Sequence, residues 1–302
     1  MLASAFEHGE VAKVIPAARL DELQDELSHF ADHHELNEFQ EMIVGGHRAA
    51  RAPELEFEVQ SIIVVAIPHP IFAHVDFIAD GRAHRVRSLV MADFDATSLV
   101  LTQTLGEHGY HASRDDHLPL KRLAVHSGLA CYGRNNVCYI EGLGSNFSLV
   151  AYWSDLPCVD VGWSEVRLAP TCAKCTICMT SCPTGAIRKD RFPIDTDRCL
   201  SYWNEGGAPF PEWMPASAHN CVYDCLECQL ACPMNKDQLA TVAGPVQFDE
   251  AETAALLGGA PIDSLPPPAQ EKAHYLGMHQ WPAGIARNLR ALFARSAPVG
   301  ND

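Results

Sequence analysis

The chain has 302 residues, and its share of hydrophobic residues, 47%, is ordinary for a globular protein of one to three domains. Asp and Glu total 38 against 22 Lys and Arg, and the net charge of −16 argues against a phosphate backbone as the default partner. The N-terminus has no basic stretch followed by an apolar one, and no apolar run reaches about 18 residues, so we expect a soluble, cytoplasmic protein without a membrane span.

Helix and strand patterns alternate before the cysteine-rich part of the chain. The segment AARLDELQDELSHFADH has the period of an amphipathic helix, and the β-branched run SIIVVAIPHP (61–70), with two prolines at its end, predicts a strand buried on both faces. A further strand is predicted at 147–157 and a further helix at 118–128. A helix is also predicted at 91–110, with an apolar side formed by Phe94, Leu99, Leu101 and Leu105. The alternation predicts a layered α/β (α+β) domain over residues 1–165.

Most of the 12 cysteines lie between residues 172 and 232, and the first 130 residues contain none. In a cytosolic protein such a cluster binds metal or does chemistry more often than it forms disulfides. The first run, TCAKCTICMTSCPTGAI, has the spacing C-x2-C-x2-C-x3-C-P, which is typical of bacterial ferredoxins. Three of its thiolates can hold three corners of one 4Fe-4S cubane, while the fourth points to a second cluster. The cysteines of this run are Cys172, Cys175, Cys178 and Cys182.

A second run has the spacing C-x3-C-x2-C-x3-C-P and comprises Cys221, Cys225, Cys228 and Cys232. Together the two runs predict a bacterial ferredoxin-like domain with two 4Fe-4S clusters and crossed ligation over residues 166–245. Structural zinc, the alternative, normally uses two separated C-x2-C pairs and needs neither a third cysteine nor the C-P pair. The second run has Val222 where a ferredoxin triplet has cysteine. Either Cys199 or Cys221 therefore completes that cluster, and spacing does not choose between them.

Residues 246–302 are predicted to be a connector and a closing helix that packs back on the first domain. GGAPIDSLPPPAQEK is rich in Gly and Pro, and MHQWPAGIARNLRALFARS has a helical period with Pro282 in its first turn. Three further cysteines, Cys131, Cys138 and Cys158, are left without a role, because a lone cysteine is most often a small buried apolar residue.

These residues resemble a known family of enzymes. CAKCTICMTSCPTGAI, RCLSYW and CLECQLACPMNK are together similar to the paired-cluster domain of the epoxyqueuosine reductases and their relatives, the reductive dehalogenases. SIIVVAIPHP, RLAVHSGLACYGRNN and WPAGIARNLRAL are similar to parts of that family outside the clusters. The resemblance covers roughly residues 55–293.

The resemblance implies a ligand scheme for the two clusters. One cluster would be held by Cys172, Cys175, Cys178 and Cys232. The other would be held by Cys182, Cys199, Cys225 and Cys228. In this scheme Cys221 is a spare thiol.

The resemblance also implies that the first domain binds cobalamin, which receives single electrons from the clusters. The family's AGLGW-x-GKN loop corresponds to residues 127–135, and its candidates for contact with the corrinoid or the substrate are Tyr132, Gly133, Arg134 and Asn135. The loop departs from the family pattern at three positions. Where the family has Gly, an aromatic residue and Lys, this chain has Ala130, Cys131 and Arg134.

The proton donor of the reductases lies in a D-x-x-P turn, and the string DHLP makes Asp116 the matching acid. Its neighbours Asp115 and His117 are rivals for this role. An alternative is that Asp115 and Asp116 only cap a helix that begins near Leu118.

The function implied is that of an oxidoreductase, in which two clusters pass single electrons to a cobalamin that reduces a small organic substrate or a modified nucleoside. An external low-potential donor such as ferredoxin or flavodoxin would supply the electrons. We rank tRNA below a small molecule as the substrate. The reasons are the net charge and the lack, in this sequence, of a counterpart of the helical-repeat extension of the tRNA-modifying reductases. The alternative is an electron-transfer or activator protein that reduces the cofactor of a partner protein.

Overall fold

The predicted mixed α/β architecture is confirmed, and the chain divides into two units that are not consecutive in sequence. The computed structural model describes residues 2–158, 162–238 and 242–296. One unit comprises residues 1–68 and 92–173, and the other comprises residues 69–91 and 174–302. The contacts between residues thus divide the chain inside the first cysteine run. The sequence instead predicts domain boundaries at residues 165 and 245, and these stay predictions.

The described part of the chain forms nine strands and eleven α-helices. The strands are β1 (Val11–Pro16), β2 (Ser61–Pro68), β3 (Phe72–Ala79), β4 (Arg82–Ser88), β5 (Ala112–Arg114), β6 (Cys131–Tyr132), β7 (Cys138–Tyr139), β8 (Phe147–Ser154) and β9 (Val242–Phe248). The helices are α1 (Leu2–Ala5), α2 (Arg19–His33), α3 (Glu38–Arg48), α4 (Phe94–Gly106), α5 (Leu120–His126), α6 (Ile177–Ser181), α7 (Leu200–Glu205), α8 (Glu227–Leu230), α9 (Glu250–Leu257), α10 (Pro267–Tyr275) and α11 (Pro282–Ser296). None of these helices has the length and apolar character that crossing a membrane requires.

The first unit is built on a four-stranded antiparallel sheet with the order β1-β2-β8-β5. Its predicted central strand is β2, which is buried along its length except at Pro68. Successive side chains of a strand point to opposite faces of the sheet, so β2 contributes to two cores. Ile62 and Val64 belong to a core with residues of α2 and α5. Ile63 and Val65 belong to a core with residues of α4, which gives the layered arrangement that the sequence predicts.

Helix α4 lies within the predicted segment 91–110, but one of its predicted core positions is wrong. Leu101 and Leu105 are buried, whereas Leu99 is 57% exposed. With 3.6 residues per turn, Leu99 lies about 200° around the helix axis from Leu101, so the two side chains cannot face the same core. The helix begins after Asp93, whose side chain accepts a hydrogen bond from the Ala96 N–H at 2.9 Å.

The second unit contains a three-stranded sheet with the order β4-β3-β9. Strands β3 and β4 form a hairpin that turns through Asp80 and Gly81, whose φ angles of 50° and 68° suit a two-residue turn. Strand β9 pairs with β3 in parallel. Phe77 of β3 stacks on Phe248 of β9 with 5.0 Å between the ring centroids, in a core to which α9, α10 and α11 also contribute.

Helix α11 is the predicted closing helix, and it begins at Pro282. It packs against α7, α9 and β4 within the second unit. Strand β4 lies among the residues that the sequence assigns to the first domain, but the contacts place it in the same unit as this helix. A Cβ atom on Gly284 would lie 2.4 Å from the Asn204 carbonyl oxygen, so glycine at this position allows the close approach of α11 to α7.

Candidate functional site

Cys172, the first cysteine of the first run, is buried and is approached by the loop that follows α5. The backbone N–H of Arg134 donates to the Cys172 Sγ at 3.4 Å, and the Arg134 guanidinium donates to the Cys172 carbonyl oxygen at 2.8 Å. The Ala169 N–H also donates to the Tyr132 carbonyl oxygen at 2.7 Å. The structure therefore brings Tyr132 and Arg134 together with the segment that carries this cysteine, and it directs an N–H group at the sulfur.

Two short helices of the second unit carry cysteines from the two runs. Helix α6 contains Cys178, helix α8 contains Cys228, and the two helices pack against each other. After α6, the backbone N–H of Ala186 donates to the Cys182 Sγ at 3.2 Å. Crossed ligation needs two runs that lie side by side, because the fourth cysteine of each run has to reach the other cluster.

Cys199 lies directly before α7, where backbone N–H groups are free of partners within the helix. The backbone N–H groups of Ser201 and Tyr202 donate to its sulfur. Burial raises the pKa of the Cys199 thiol, and these hydrogen bonds oppose that rise because they stabilise the thiolate. The Cys199 sulfur therefore has N–H donors of the kind that a thiolate ligand needs, within surroundings whose net effect raises its pKa.

Cys221 lies in an apolar environment. It is 1% exposed and belongs to a buried cluster with Ile71, Phe72 and Leu226. Burial raises the pKa of its thiol, and a single backbone N–H, that of Val222, opposes this rise by hydrogen bonding, whereas two backbone N–H groups do so at Cys199. These contacts support Cys199 over Cys221 as a ligand, the choice that spacing leaves open.

Cys225 is also buried, but its sulfur receives a hydrogen bond from a side chain. The Asn220 Nδ2 donates to the Cys225 Sγ at 3.4 Å. The pKa of Cys225 is raised to about 12, mainly by burial, and the hydrogen bond from Asn220 makes this rise smaller. Negative charge on Cys199 would also raise the pKa of Cys225, because the two thiols lie near each other. Sequence reasoning missed Asn220, because cysteine spacing gives no signal for the residues that surround each sulfur.

The hydrogen bonds at the sulfurs show whether these cysteines fit iron-sulfur clusters. N–H groups donate to the sulfurs of Cys172, Cys182, Cys199 and Cys225. Such donors stabilise the negative charge of a thiolate ligand. Over the described ranges, no three His, Cys, Asp or Glu side chains are arranged to hold one metal ion. A cubane does not require this arrangement, because each of its thiolates binds a different iron. The cysteines therefore fit the clusters.

The loop that is expected to contact a corrinoid is filled by its own side chains. Tyr132 is 5% exposed, and the Asn135 amide donates to the Tyr139 hydroxyl at 2.8 Å. A Cβ atom on Gly133 would lie 2.4 Å from the Asn135 Oδ1 and 2.5 Å from the Tyr139 ring, so this glycine makes room for the loop itself. Arg134 is turned toward the first cysteine. That these four residues contact a corrinoid stays a prediction.

The predicted acid lies on the surface of the first unit. The Asp116 side chain is 58% exposed, and its Oδ1 accepts a hydrogen bond from the Arg114 Nε at 2.8 Å. Asp115 is half-buried and accepts hydrogen bonds from the Trp153 indole N–H and the His117 backbone N–H, each at 2.8 Å. Asp115 is thus held by two donors, while Asp116 remains accessible to solvent. The catalytic role of Asp116 stays a prediction.

The alternative role for these aspartates, capping of the next helix, is wrong. Helix α5 begins at Leu120, and its N-cap position is Pro119, with no side-chain hydrogen bond to the helix. The helix begins later than predicted, and the Asp115 side chain instead closes a local turn with the His117 N–H.

Buried amides connect the closing helix to the second cysteine run. The Asn288 Nδ2 donates to the Asn204 carbonyl oxygen at 2.8 Å and to the Val222 carbonyl oxygen at 2.7 Å. The Asn204 Nδ2 in turn donates to the carbonyl oxygen of Asp224, the residue before Cys225, at 2.7 Å. Asn288 lies in the motif WPAGIARNLRAL, but the helical pattern alone does not indicate that it holds a distant loop.

The three cysteines without a predicted role lie in the first unit. Cys138 is buried, whereas Cys131 and Cys158 are half-buried. The Cys131 thiol donates to the Tyr139 carbonyl oxygen at 3.6 Å, across the β6-β7 pair. The expectation of a small buried residue is therefore met fully only at Cys138.

Residues 171–235 match a family model described as a 4Fe-4S double cluster binding domain. The match includes both cysteine runs and Cys199, so the prediction of two 4Fe-4S clusters is confirmed. The model match does not say which cysteine binds which cluster, and the ligand scheme stays a prediction.

The chain is also similar to proteins named epoxyqueuosine reductase. The one from Aliivibrio fischeri is 30% identical over 170 residues, which are 56% of this chain and 44% of the relative. The one from Salmonella typhimurium is 38% identical over 170 residues, which are 55% of this chain and 42% of the relative. The matched region thus spans less than half the length of these curated relatives.

A solved structure has the same fold over nearly the whole chain. It is an epoxyqueuosine reductase crystallised with an epoxyqueuosine-modified stem loop of a tyrosine tRNA, and it covers 97% of this chain and 78% of its own, with a TM-score of 0.61 and 17% identity. At this identity the likeness shows the fold. The resemblance predicted from the cysteine runs is confirmed.

Proposed function

We propose that this chain is an iron-sulfur oxidoreductase of the epoxyqueuosine reductase type. The double-cluster match over residues 171–235 carries the proposal, and the N–H donors at the cysteine sulfurs support it. When bound, the clusters supply single electrons at a potential that burial and hydrogen bonding adjust. The protein holds the thiolates, keeps water from them and positions the substrate.

We propose the following ligands for the clusters, on the basis of the resemblance. The first cluster is held by Cys172, Cys175, Cys178 and Cys232. The second cluster is held by Cys182, Cys199, Cys225 and Cys228. The packing of α6 against α8 supports the crossed scheme, and the N–H groups directed at the Cys199 sulfur support its place in the second set.

Anaerobic reconstitution of the chain with iron and sulfide is expected to give about eight irons per chain, because each of the two 4Fe-4S clusters holds four. Iron analysis and visible and EPR spectra measure this directly. A fully reconstituted protein with only about four irons, or one that holds zinc in place of iron, would contradict the proposal.

Cys199→Ser is expected to remove one of the two clusters, with loss of about half of the iron, whereas Cys221→Ser is expected to keep both. The reason is the ligand scheme that the resemblance implies, together with the two backbone N–H donors at the Cys199 sulfur and the burial of Cys221 in an apolar cluster. Iron content and EPR spectra of the two variants, prepared side by side, test this. The reverse pattern would move the fourth ligand from Cys199 to Cys221.

The expectation that tRNA is a poor substrate is not supported. It rested in part on the net charge of −16, but a reductase with the same fold was solved with a tRNA stem loop. Net charge describes the whole chain and not the surface around a site. We therefore propose epoxyqueuosine in tRNA as the first candidate substrate and a small organic molecule as the second, with a ferredoxin or flavodoxin as the electron donor.

Cobalamin is the cofactor that the resemblance implies for this reaction. Residues 132–135 contact one another, Tyr139 and Cys172 in the structure, and we assign no reaction step to cobalamin. Reconstitution with and without cobalamin tests its binding, because a bound corrinoid adds absorption bands to those of the clusters.

A second candidate function is electron transfer to a partner protein. The acidic net charge favours it, since an acidic surface suits a transient complex with a basic redox partner. The same reconstituted protein separates the two functions. Reduction of an epoxyqueuosine-modified stem loop supports the reductase. A protein that binds no corrinoid, leaves the stem loop unchanged and reduces a partner's cofactor supports electron transfer.

A further inference from the structure

Asn220 hydrogen-bonds a proposed cluster ligand without being a ligand itself. It is 8% exposed, and its Nδ2 donates to the Cys225 Sγ at 3.4 Å and to the Ala218 carbonyl oxygen at 2.8 Å. Both partners are acceptors, so only the NH2 group of the amide can face them. The reversed amide would set an oxygen against another oxygen and a sulfur. The surroundings therefore fix the orientation of this side chain.

The other half of the Asn220 amide has no comparable contact. Its Oδ1 is buried and finds no hydrogen-bond partner among the described residues. A buried acceptor without a partner destabilises a protein, so folding alone would favour an apolar side chain at this position. Asn220 differs from an apolar residue in the two hydrogen bonds that its NH2 group donates, one to the Ala218 carbonyl oxygen and one to the Cys225 sulfur.

We propose that Asn220 raises the reduction potential of the cluster that Cys225 ligates. This inference rests on the proposed function, in which Cys225 is a ligand of the second cluster. Reduction adds one electron from an external one-electron reductant and no proton, so the negative charge shared by the ligating sulfurs increases. An N–H donor held against one of these sulfurs stabilises the reduced state more than the oxidised state. Without the donor, reduction requires a more negative potential.

Asn220→Leu tests the inference, since leucine has a similar volume and no N–H group. The reconstituted full chain is titrated with viologen mediators, and the reduced cluster is followed by EPR. At the midpoint potential of the wild-type cluster, the ratio of reduced to oxidised cluster is expected to fall about tenfold, equivalent to about 59 mV for one electron. The iron content and the potential of the other cluster are expected to stay unchanged. Asn220→Asp, which keeps the shape but has no N–H donor, is expected to shift the potential in the same direction.

Gln24→Ala is the matched control, because Gln24 is a buried amide side chain of the first unit, 8% exposed like Asn220, whose Nε2 donates to the Ala50 carbonyl oxygen at 2.7 Å. It is expected to lower the stability of the chain without a tenfold change in the reduced fraction. The inference fails, and the proposed function stands, if Asn220→Leu and Asn220→Asp keep the wild-type potential while Cys225→Ser loses one cluster. If Cys225→Ser keeps both clusters, the ligand assignment fails, and the inference fails with it.

Discussion

Gly284→Ala is expected to lower the free energy of unfolding by about 3 kcal/mol, from overpacking and weakened buried hydrogen bonds. The new Cβ atom would lie 2.4 Å from the Asn204 carbonyl oxygen and 2.9 Å from the Gly206 carbonyl oxygen. Both are backbone atoms, which cannot turn away as a flexible side chain can. Helix α11 would have to move off α7, and the hydrogen bonds from Asn288 to the carbonyls of Asn204 and Val222 would lengthen. Denaturant titration of the purified chain measures the loss.

Gly45→Ala is the matched control for this substitution. Gly45 is also a helical glycine, in α3, but a Cβ atom there would meet nothing within 4 Å. Alanine at this position is expected to raise the free energy of unfolding by about 0.5–1 kcal/mol, because it restricts the unfolded chain and favours the helix. Equal effects of the two substitutions would contradict the close packing of α11 on α7.

The features that a single stretch of sequence determines could be predicted. Strand β2 is buried on both faces, and a β-branched run bounded by prolines is the local pattern of such a strand. The closing helix begins at Pro282 because proline suits the first helical position, where no N–H donor is needed. The double-cluster domain was predicted because the ligands of a cubane come mostly from one tight loop, so their spacing is visible in the sequence.

The features that depend on distant segments could not be predicted in this way. The β3-β4 hairpin follows β2 in sequence but belongs to the second unit, because β3 pairs with β9. Gly133 looks like a position for a ligand, yet the side chains of Asn135 and Tyr139 fill the space beside it. Asn220 has a role only through its distance to the Cys225 sulfur, and no spacing rule marks it.

Asp116→Asn is expected to lower turnover by about 100-fold or more and to leave the free energy of unfolding nearly unchanged. A reduction that leaves a carbanion-like or alkoxide-like centre needs a proton, and a carboxyl group that contacts the substrate can donate it. The exposed Asp116 is accessible to such a substrate. Its ion pair with Arg114 is a surface pair, worth at most about 1 kcal/mol. Reduction of an epoxyqueuosine-modified tRNA stem loop, driven by a chemical one-electron reductant, measures turnover.

Asp115→Asn distinguishes this catalytic role from a structural one. The Asp115 carboxylate accepts hydrogen bonds from Trp153 and His117 through its two oxygens, and asparagine offers only one oxygen. One donor therefore loses its partner, which is expected to lower the free energy of unfolding by about 1–2 kcal/mol while turnover per folded molecule stays the same. If Asp115→Asn loses turnover and Asp116→Asn keeps it, the proton donor is Asp115. If both variants keep turnover, the proton comes from His117, Tyr132 or an ordered water, and the resemblance of the DHLP turn to the family motif carries no catalytic meaning.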